Sequence, residues 1–285
     1  MHTRRLGNRQ VSAIGLGAMP MSIEGRPAQE AQSLRTIHAA LDSGITLIDT
    51  ADAYCLGPSE VGHNERLIAK GLAMYGGDTT HVLVATKGGH TRPGGGAWDL
   101  NGRPEYLKSA CEASLTALGV EAIGLYQFHR PDPKVPYAES IGAFADLLDA
   151  GKILLAGVSN ATVSQIIEAN AVLGGRLASV QNEYSPRFRS GEAELAYCAE
   201  AGIAFLPWSP LGGIADAAEL GTRHQWFARI AASHGVSPQQ ICLAWELAKS
   251  PVVLPIPGSK RPETITDSAR AVEVTLSAEE LATLD

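Results

Sequence analysis

The stretch LIDTADAY, residues 47–54, runs from apolar residues into an aspartate, Asp49, and reaches a tyrosine, Tyr54, five positions later. A short apolar run without alternation is typical of a strand that is buried on both faces of a parallel sheet. For this motif alone, a structural interpretation is favoured, in which Asp49 caps a helix and Tyr54 is ordinary packing. The rest of the chain has to decide whether the two residues carry chemistry.

The composition of the chain indicates a globular protein. With 285 residues, 45% hydrophobic and 19% charged, it can bury a sizeable core in one large domain or in two ordinary ones. The net charge of −7 argues against a nucleic-acid partner, because no basic stripe is present to neutralise phosphates. No apolar run reaches the ~18 residues that suggest a membrane span, so no membrane partner is expected.

The N-terminal segment and the cysteines indicate the compartment. The start, MHTRRLGNRQ, carries positive charge but no apolar segment follows it, which predicts no signal peptide. Cysteines stand far apart with no C-x-x-C spacing, so the sequence predicts neither a disulfide framework nor a metal site. They are Cys55, Cys111, Cys198 and Cys242. A soluble protein of a reducing compartment, the cytoplasm, is therefore expected, and its oligomeric state stays undetermined.

Eight short apolar runs recur along the chain and predict eight strands. They are VSAIGLG (11–17), ITLIDTA (45–51), HVLVATK (81–87), IGLYQFH (123–129), ILLAGVSN (153–160), SVQNEYS (179–185), IAFLPWSP (203–210) and VVLPIPGS (252–259). Because segments with helical periodicity lie between them, the pattern indicates crossover units and a parallel sheet. Eight such units favour a closed (β/α)8 TIM barrel that forms a single domain over residues 1–285.

Helix signals separate the strands. PEYLKSACEASLTALG (104–119) predicts a helix with one apolar face, formed by Leu107, Ala110, Cys111, Leu115 and Leu118. Two further helices are predicted, one over SPQQICLAWELAK after an N-cap at Ser237, and one over SAEELATL, where Ser277 and Glu280 are spaced as in a capping box.

A doubly wound sheet is the main alternative to the barrel. That fold normally carries G-x-G-x-x-G after its first strand, whereas Gly15-Leu-Gly17-Ala-Met-Pro20 lacks the third glycine. No phosphate loop of the G-x-x-x-x-G-K-[ST] type occurs either. The barrel is therefore the predicted fold.

Reactive side chains stand at the predicted strand ends. Asp49 ends strand two, Lys87 strand three and His129 strand four, and polar residues also end strands five to eight. Since the carboxyl ends of all barrel strands converge on one face, these residues are expected to be neighbours. The barrel geometry therefore predicts one cluster of Asp49, Tyr54, Lys87 and His129.

The four side chains of this cluster suit proton donation to an oxygen that gains negative charge. A free phenol titrates near ~10, and a nearby lysine ammonium favours the phenolate. A carboxylate beside the lysine offsets the cost of burying its charge, while a histidine can orient a carbonyl. No obvious nucleophile–base pair accompanies them, so the electrons are expected to come from a cofactor.

Seven motifs together resemble the aldo-keto reductase superfamily, in the order typical of its members and over nearly the whole chain. They are LIDTADAY, VATKGG, LYQFHRPDP, GVSN, VQNEYS, LPWSP and IPGSKRPE, and GLGAMPMS is similar to the first-strand motif of bacterial members. The resemblance implies an NAD(P)H-dependent (β/α)8 reductase of small-molecule aldehydes or ketones. It assigns Asp49, Tyr54, Lys87 and His129 to the catalytic tetrad, with Tyr54 as the proton donor.

The same resemblance implies where the cofactor binds. Ser159, Asn160 and Gln181 match positions that hold the nicotinamide carboxamide, and Trp208 matches an aromatic ring that stacks on the nicotinamide. The loop over the pyrophosphate is matched by Ser209, Leu211 and Gly212.

The last cofactor segment departs from the family pattern. Gly258 and Thr264 stand where many members carry a lysine and an arginine for the 2′-phosphate, and Ser268 replaces an asparagine that contacts adenine. Ser259, Lys260 and Arg261 can supply the lost donor and charge, since a dianionic phosphate favours charge-assisted bonds. We therefore expect NADPH to be preferred over NADH; the alternative is that Lys260 and Arg261 are a solvated loop pair.

Other candidates near the strand ends carry weaker signals. His90 and the arginines Arg130, Arg187 and Arg189 are expected to be solvated or salt-bridged at the rim, although an anionic substrate would also suit the arginines. Trp98, in the glycine-rich segment TRPGGGAWDLNGRP, fits a lid over a pocket and a flexible surface loop equally. Cys55 is expected to be packing, and Met19 and Met21 are either pocket-lining or gap-filling residues.

Two other function classes stay open. One is a barrel lyase or aldolase with a Schiff base on Lys87, although an acidic partner at Asp49 argues against a neutral lysine. The other is a cofactor-binding sensor that turns over slowly. The physiological substrate and the direction of the reaction in the cell do not follow from the sequence, because the loops after the strands shape the pocket.

Overall fold

The computed structural model describes residues 1–214 and 216–285 of the chain. The strands are β1 (Thr3–Leu6), β2 (Arg9–Ser12), β3 (Leu16–Gly17), β4 (Leu47–Asp49), β5 (Leu83–Gly88), β6 (His90–Gly94), β7 (Ala97–Leu100), β8 (Leu125–Phe128), β9 (Ala156–Ser159), β10 (Leu177–Gln181) and β11 (Ala204–Phe205). The helices are α1 (Glu30–Asp42), α2 (His63–Met74), α3 (Pro104–Leu118), α4 (Tyr137–Asp149), α5 (Val163–Val172), α6 (Glu192–Ala201), α7 (Leu220–Arg223), α8 (Gln225–His234), α9 (Pro238–Lys249), α10 (Pro262–Ala269) and α11 (Ala278–Leu284).

Seven strands form a curved parallel sheet in the order β3-β4-β5-β8-β9-β10-β11. The segment 252–258 joins the two edges of this sheet, because Val253 pairs with Phe205 on one side and Gly258 pairs with Gly17 on the other. The sheet therefore closes into the predicted (β/α)8 barrel, with helices on its outside. An open doubly wound sheet is ruled out by this closure.

The eighth barrel segment is irregular for a chemical reason. Pro255 and Pro257 have no backbone N–H to donate, so a continuous ladder cannot form along this segment. Their carbonyl oxygens still accept hydrogen bonds from the backbone N–H groups of Gly15 and Gly17, at 2.9 and 3.0 Å. The eighth segment therefore lies where the sequence predicts a strand, but it pairs with its neighbours only through isolated bridges.

The first predicted strand, residues 11–17, is partly wrong. Val11 and Ser12 belong to an antiparallel hairpin of β1 and β2, and the barrel strand β3 comprises Leu16 and Gly17. The hairpin turns at Gly7, whose φ of +57° favours glycine. The buried side chains of the hairpin, Leu6 and Val11, pack against residues at the beginnings of the barrel strands. These residues are Leu47, Leu83, Leu125, Leu155, Ala178, Ala204 and Leu254. The hairpin therefore closes the N-terminal end of the barrel.

The three helices predicted from apolar spacing and caps are confirmed. In α3, the predicted face Leu107, Ala110, Cys111, Leu115 and Leu118 is buried. The hydroxyl oxygen of Ser237 accepts a hydrogen bond from the backbone N–H of Gln240 at the start of α9. A complete capping box of Ser277 and Glu280 precedes α11. These helices obey local rules, so the sequence is sufficient to locate them.

A second hairpin replaces a predicted loop. Residues 91–104, expected to be a glycine-rich loop, contain most of the antiparallel pair β6 and β7, in which His90 pairs with Leu100 and Thr91 with Asp99. This hairpin stands after β5, at the carboxyl end of the barrel.

Two further findings concern the cysteines and the membrane. All four cysteines are buried free thiols. Within residues 1–214 and 216–285, no helix combines the length and apolarity that crossing a bilayer requires.

Arg4 ties the N-terminal hairpin to the barrel. Its guanidinium donates to the carbonyl oxygens of Ser250 and Val253, at 2.7 and 2.6 Å, and to that of Leu247 at 2.6 Å. The last of these carbonyls lies at the C-terminal end of α9, where backbone oxygens lack partners within the helix.

We expect Arg4→Met to lower the free energy of unfolding by about 2–3 kcal/mol, because charge-assisted bonds to buried carbonyls are lost. Urea denaturation of both proteins measures the change. Arg5→Met is the matched control, since Arg5 is exposed and donates to Gly7 within its own hairpin. An equal loss of stability in the two variants would contradict the anchoring role of Arg4.

Candidate active site

Lys87 lies at the centre of the predicted cluster. Its ammonium nitrogen is 2.6 Å from Oδ1 of Asp49, 2.9 Å from the carbonyl oxygen of Thr50 and 3.0 Å from the phenolic oxygen of Tyr54. Lys87 is fully buried, and Asp49 and Tyr54 are nearly so. The structure thus brings three of the four predicted catalytic residues into direct contact.

The register of the sheet explains this contact. Asp49 in β4 pairs with Ala85 in β5, and Lys87 lies two residues beyond Ala85. Because side chains alternate along a strand, Ala85 and Lys87 point to the same side, toward Asp49. Tyr54 arrives from a tight turn after β4, in which its backbone N–H donates to the carbonyl oxygen of Ala51.

His129, the fourth predicted residue, directly follows β8. Its backbone N–H donates to the carbonyl oxygen of Gly88 at 2.9 Å. The imidazole meets the ring of Tyr54 edge to face, with 5.7 Å between the ring centroids. Its Nδ1 atom is buried without a hydrogen-bond partner in the part of the chain that the structure describes. Burial, together with the nearby His90, lowers the pKa of His129 well below its usual value, so the imidazole is neutral.

The electrostatics of Tyr54 differ in part from the expectation. Burial raises the pKa of the Tyr54 phenol, and the ammonium of Lys87 offsets only part of this rise. For Lys87, burial acts to lower the pKa, but Asp49 and Tyr54 outweigh it, and the pKa is raised. At neutral pH the site therefore holds a protonated phenol beside a protonated amine.

Asp49 is held by more than the lysine. Its second oxygen, Oδ2, accepts from the side-chain amide of Gln181 at 2.8 Å and from that of Gln127 at 3.4 Å. Ser179 in turn donates to Gln127 at 3.1 Å. These hydrogen bonds hold the Asp49 carboxylate in position. The sequence analysis did not single out Gln127, although a glutamine inside the apolar run IGLYQFH is the signal that marks it.

An open cavity of about 340 Å³ lies above this cluster at the carboxyl end of the barrel. Its lining includes Asp49, Tyr54 and His129, together with seven residues that the sequence assigns to the cofactor. The seven are Ser159, Asn160, Gln181, Trp208, Ser209, Leu211 and Gly258. The predicted catalytic and cofactor residues therefore share one cavity.

The remaining predicted cofactor residues lie outside this lining. Gly212 closes a turn by donating to the carbonyl oxygen of Ser209 at 2.9 Å. The Ser259 hydroxyl contacts Thr264, and the Lys260 ammonium donates to the carbonyl oxygen of Gly25. Arg261 is exposed, directly before α10.

The cavity wall fits a nicotinamide carboxamide. The side-chain amide group of Asn160 donates to the carbonyl oxygen of His129 at 3.0 Å, and its oxygen accepts from the Trp208 indole at 3.3 Å. The Gln181 amide oxygen has no donor among the described residues, which leaves it available for a ligand N–H. Asn160 and Ser209 adopt left-handed φ values of +57° and +52°. Such conformations cost energy for non-glycine residues and concentrate at binding sites.

Three residues outside the predicted site line the cavity, and for Trp98 and Met19 the sequence leaves this role open. His90, expected to be solvated, packs edge to face on His129 with 4.3 Å between centroids, and on Trp98 at 5.4 Å. Trp98 itself lines the cavity, as does Met19, whereas Met21 is buried in the core. No sequence pattern marks these contacts, because they join separate loops.

The three arginines near the strand ends fall into two groups. Arg187 pairs with Asp216, and Arg189 donates to the carbonyl oxygens of Leu284 and Asp285. Both therefore lie in structural contacts, as expected. Arg130 is exposed, as expected, and it also lines the cavity.

A profile of the aldo/keto reductase family matches residues 13–285. The chain belongs to this family. An uncharacterized oxidoreductase of Schizosaccharomyces pombe is 36% identical over 286 residues, which cover 99% of this chain and 89% of that protein. A probable aldo-keto reductase of Glycine max is 32% identical over 299 residues, covering 95% and 84% of the two chains.

A solved structure agrees with these relatives. The aldo/keto reductase from Klebsiella pneumoniae, crystallised with NADP and acetate, superimposes with a TM-score of 0.83 at 27% identity, over 99% of this chain and 94% of that one. The predicted family and the predicted barrel are both confirmed.

The environment of His90 generates a prediction about its charge. Burial lowers the pKa of His90 to about 4, so this imidazole is neutral until the pH falls to that value. We expect an NMR titration of the histidine rings to show this low midpoint. Trp98→Ala removes the indole that covers His90, so the pKa should rise toward ~6.5 as the ring gains water.

Trp226→Ala is the control for this titration, because Trp226 is likewise exposed but belongs to α8. It should leave the His90 midpoint where it is. A wild-type midpoint near ~6.5 would contradict the burial of His90.

Proposed function

We propose that this chain is an NADP(H)-dependent reductase that transfers a hydride to an aldehyde or ketone. The observation that carries the proposal is the contact of Lys87 with both Asp49 and Tyr54 at the base of a cavity. Membership of the aldo/keto reductase family supports the reaction class. When bound, the nicotinamide supplies the hydride. In this proposal residues 1–285 act as one domain.

Tyr54 is the proton donor in this mechanism. Its hydroxyl proton passes to the carbonyl oxygen as that oxygen gains negative charge. A raised pKa keeps the phenol protonated at neutral pH, which suits an acid in the direction of reduction. As the proton leaves, negative charge develops on the phenolic oxygen, 3.0 Å from the Lys87 ammonium. Lys87 thereby stabilises the phenolate, and Asp49 fixes Lys87.

His129 orients the carbonyl. A neutral imidazole can donate one ring N–H to the carbonyl oxygen without competing as an acid. Burial keeps His129 neutral, and its contact with the Tyr54 ring places both side chains around the same point of the cavity. Two donors then converge on the oxygen where charge develops.

Cofactor binding follows from the remaining cavity residues. Ser159, Asn160 and Gln181 would hold the carboxamide of a bound nicotinamide, and Trp208 would contact its ring. The turn with Ser209, Leu211 and Gly212 would lie at the pyrophosphate. The Klebsiella pneumoniae relative was crystallised with NADP, which supports NADP(H) as the cofactor here.

The 2′-phosphate is assigned to the segment Gly258 to Arg261. Arg261 is exposed and has no ion-pair partner in residues 1–214 and 216–285, so its charge is available to a phosphate. Lys260 donates to a backbone carbonyl, a contact that a dianion can replace. This arrangement favours NADPH over NADH.

The contacts of Lys87 argue against a Schiff-base lyase. A lysine that forms a Schiff base must lose its proton, and nucleophilic lysines are accordingly desolvated or placed near other cations. Here Asp49 and Tyr54 raise the pKa of Lys87. The ammonium is therefore favoured, and borohydride trapping with a carbonyl substrate is expected to leave the protein unmodified.

Removal of the phenolic hydroxyl tests the proton donor. We expect Tyr54→Phe to lower the turnover rate by about 10²-fold or more, the scale of a lost general acid. Turnover is followed as NADPH consumption on a panel of aldehydes, and NADPH affinity is measured separately by fluorescence titration. Affinity should be retained, because the ring remains.

Tyr75→Phe serves as the matched control, since this exposed hydroxyl bonds to Asp42 away from the cavity. It should behave as wild type. Normal reduction of a good aldehyde by Tyr54→Phe would refute the role of Tyr54.

A double substitution tests the nucleotide preference. Replacing Lys260 and Arg261 with alanine is expected to lower kcat/KM for NADPH by about 10- to 100-fold, because charge-assisted bonds to the phosphate are lost. The value for NADH should change little. Arg270→Ala, which removes a cation paired with Glu273 in the same region, is the control. Comparable kinetic constants of the wild type for NADH and NADPH would contradict the preference.

A further inference from the structure

Arg130 places a positive charge in the wall of the cavity. It directly follows His129 in the chain, and among the described residues that line the cavity it is the one lysine or arginine. Its charge also contributes to lowering the pKa values of both His90 and His129.

This guanidinium has no partner among the residues that the structure describes. In contrast to Arg187 and Arg189, Arg130 forms neither an ion pair nor a hydrogen bond with the other residues of 1–214 and 216–285. Arg130 also borders a side groove that Glu183 lines. Burial raises the pKa of the Glu183 carboxyl, and the charges of Arg187 and Arg130 offset part of this rise. A cation at a cavity wall without a partner is available to a ligand.

The other charged and titratable groups around the cavity do not compete for an anion. Lys87 is buried below Tyr54 and is already paired with Asp49. His90 and His129 are neutral at physiological pH, because burial lowers both pKa values. Much of the remaining wall is apolar, with Met19, Trp98, Ile214 and Ile256 among its side chains.

We propose that the physiological substrate is a carbonyl compound that carries an oxyanion, a carboxylate or a phosphate, and that Arg130 binds this group. This inference rests on the proposed reductase function and names its substrate class. The planar guanidinium can form a bidentate pair of hydrogen bonds with two oxygens of a carboxylate or a phosphate. The carbonyl is held between Tyr54 and His129, and the apolar wall contacts the carbon chain that joins the two ends of the substrate.

Arg130 acts here as a specificity residue, outside the proton transfer. Because it is exposed, its contact with the anion is screened by salt. The expected gain is therefore modest, about ten-fold in kcat/KM over an uncharged analogue at low ionic strength. The gain should lie mainly in KM, since the anion is bound equally in the ground state and the transition state.

Two matched substrate pairs test the proposal with NADPH as the reductant. One is 4-oxobutanoate and its methyl ester, and the other is glyceraldehyde 3-phosphate and glyceraldehyde. The proteins are the wild type, Arg130→Met, Arg130→Lys and Arg9→Met, where Arg9 is an exposed arginine in β2 at the opposite end of the barrel. The values of kcat and KM are measured separately at low and high ionic strength.

We expect the wild type to prefer the anion of at least one pair by about ten-fold, and the preferred pair identifies the anion as carboxylate or phosphate. Arg130→Met should remove this preference through KM, Arg130→Lys should keep part of it, and Arg9→Met should behave as wild type. High ionic strength should weaken the wild-type preference.

The possible failures are distinguishable. Turnover of the neutral aldehydes without any preference for the anions overturns the role of Arg130 and leaves the reductase function standing. Equal losses on both members of a pair, or a higher KM for NADPH in Arg130→Met, also overturn it, and the latter assigns Arg130 to the nucleotide. If no carbonyl compound is reduced, the reductase function fails and this inference fails with it.

Discussion

Lys87 carries an ammonium inside the barrel, where burial of an unpaired charge costs several kcal/mol. Its three N–H bonds find three acceptors in Asp49, the carbonyl oxygen of Thr50, and Tyr54. Because the phenolic oxygen accepts from the ammonium, the Tyr54 proton is directed elsewhere. The same contact that stabilises the buried charge therefore leaves the hydroxyl proton free to be given away.

The carboxylate of Asp49 extends this network of hydrogen bonds to Gln181 in the wall of the cavity. One oxygen serves Lys87, and the other accepts from Gln181 and Gln127. Gln181 also lines the cavity. A ligand that forms a hydrogen bond with its amide would therefore contact the same network that positions Lys87. Tyr54 and Gln181 are thus linked by hydrogen bonds through Lys87 and a single carboxylate.

The sequence predicts the parts of this molecule that obey local or topological rules. Asp49, Lys87 and His129 could be placed together because strand ends converge in a barrel, and the cap of α9 could be predicted from Ser237 alone. The N-terminal hairpin was missed because the largely apolar segment VSAIGLG (11–17) has the pattern of a single strand. The net shift of the Tyr54 pKa was missed for another reason: the depth of burial depends on distant packing.

The residues that cover His90 show how packing between distant segments determines the charge of a side chain. The buried Arg92 in β6 stacks on the Trp98 ring at 4.1 Å and pairs with Glu24 at 3.0 Å. Since Glu24 is exposed, this ion pair contributes little by itself, whereas the stacking of a desolvated guanidinium contributes more. The ion pair fixes Arg92, and the stacking contact with Arg92 holds Trp98 in place.

Trp98 in turn covers His90, and His90 packs on His129. The hairpin of β6 and β7 therefore keeps water from both imidazoles, and their neutrality follows from its position. If either ring were charged, it would compete with Arg130 for an anion and with Tyr54 as an acid. Loop packing that no local sequence pattern encodes thus determines the charge of two side chains in the cavity wall.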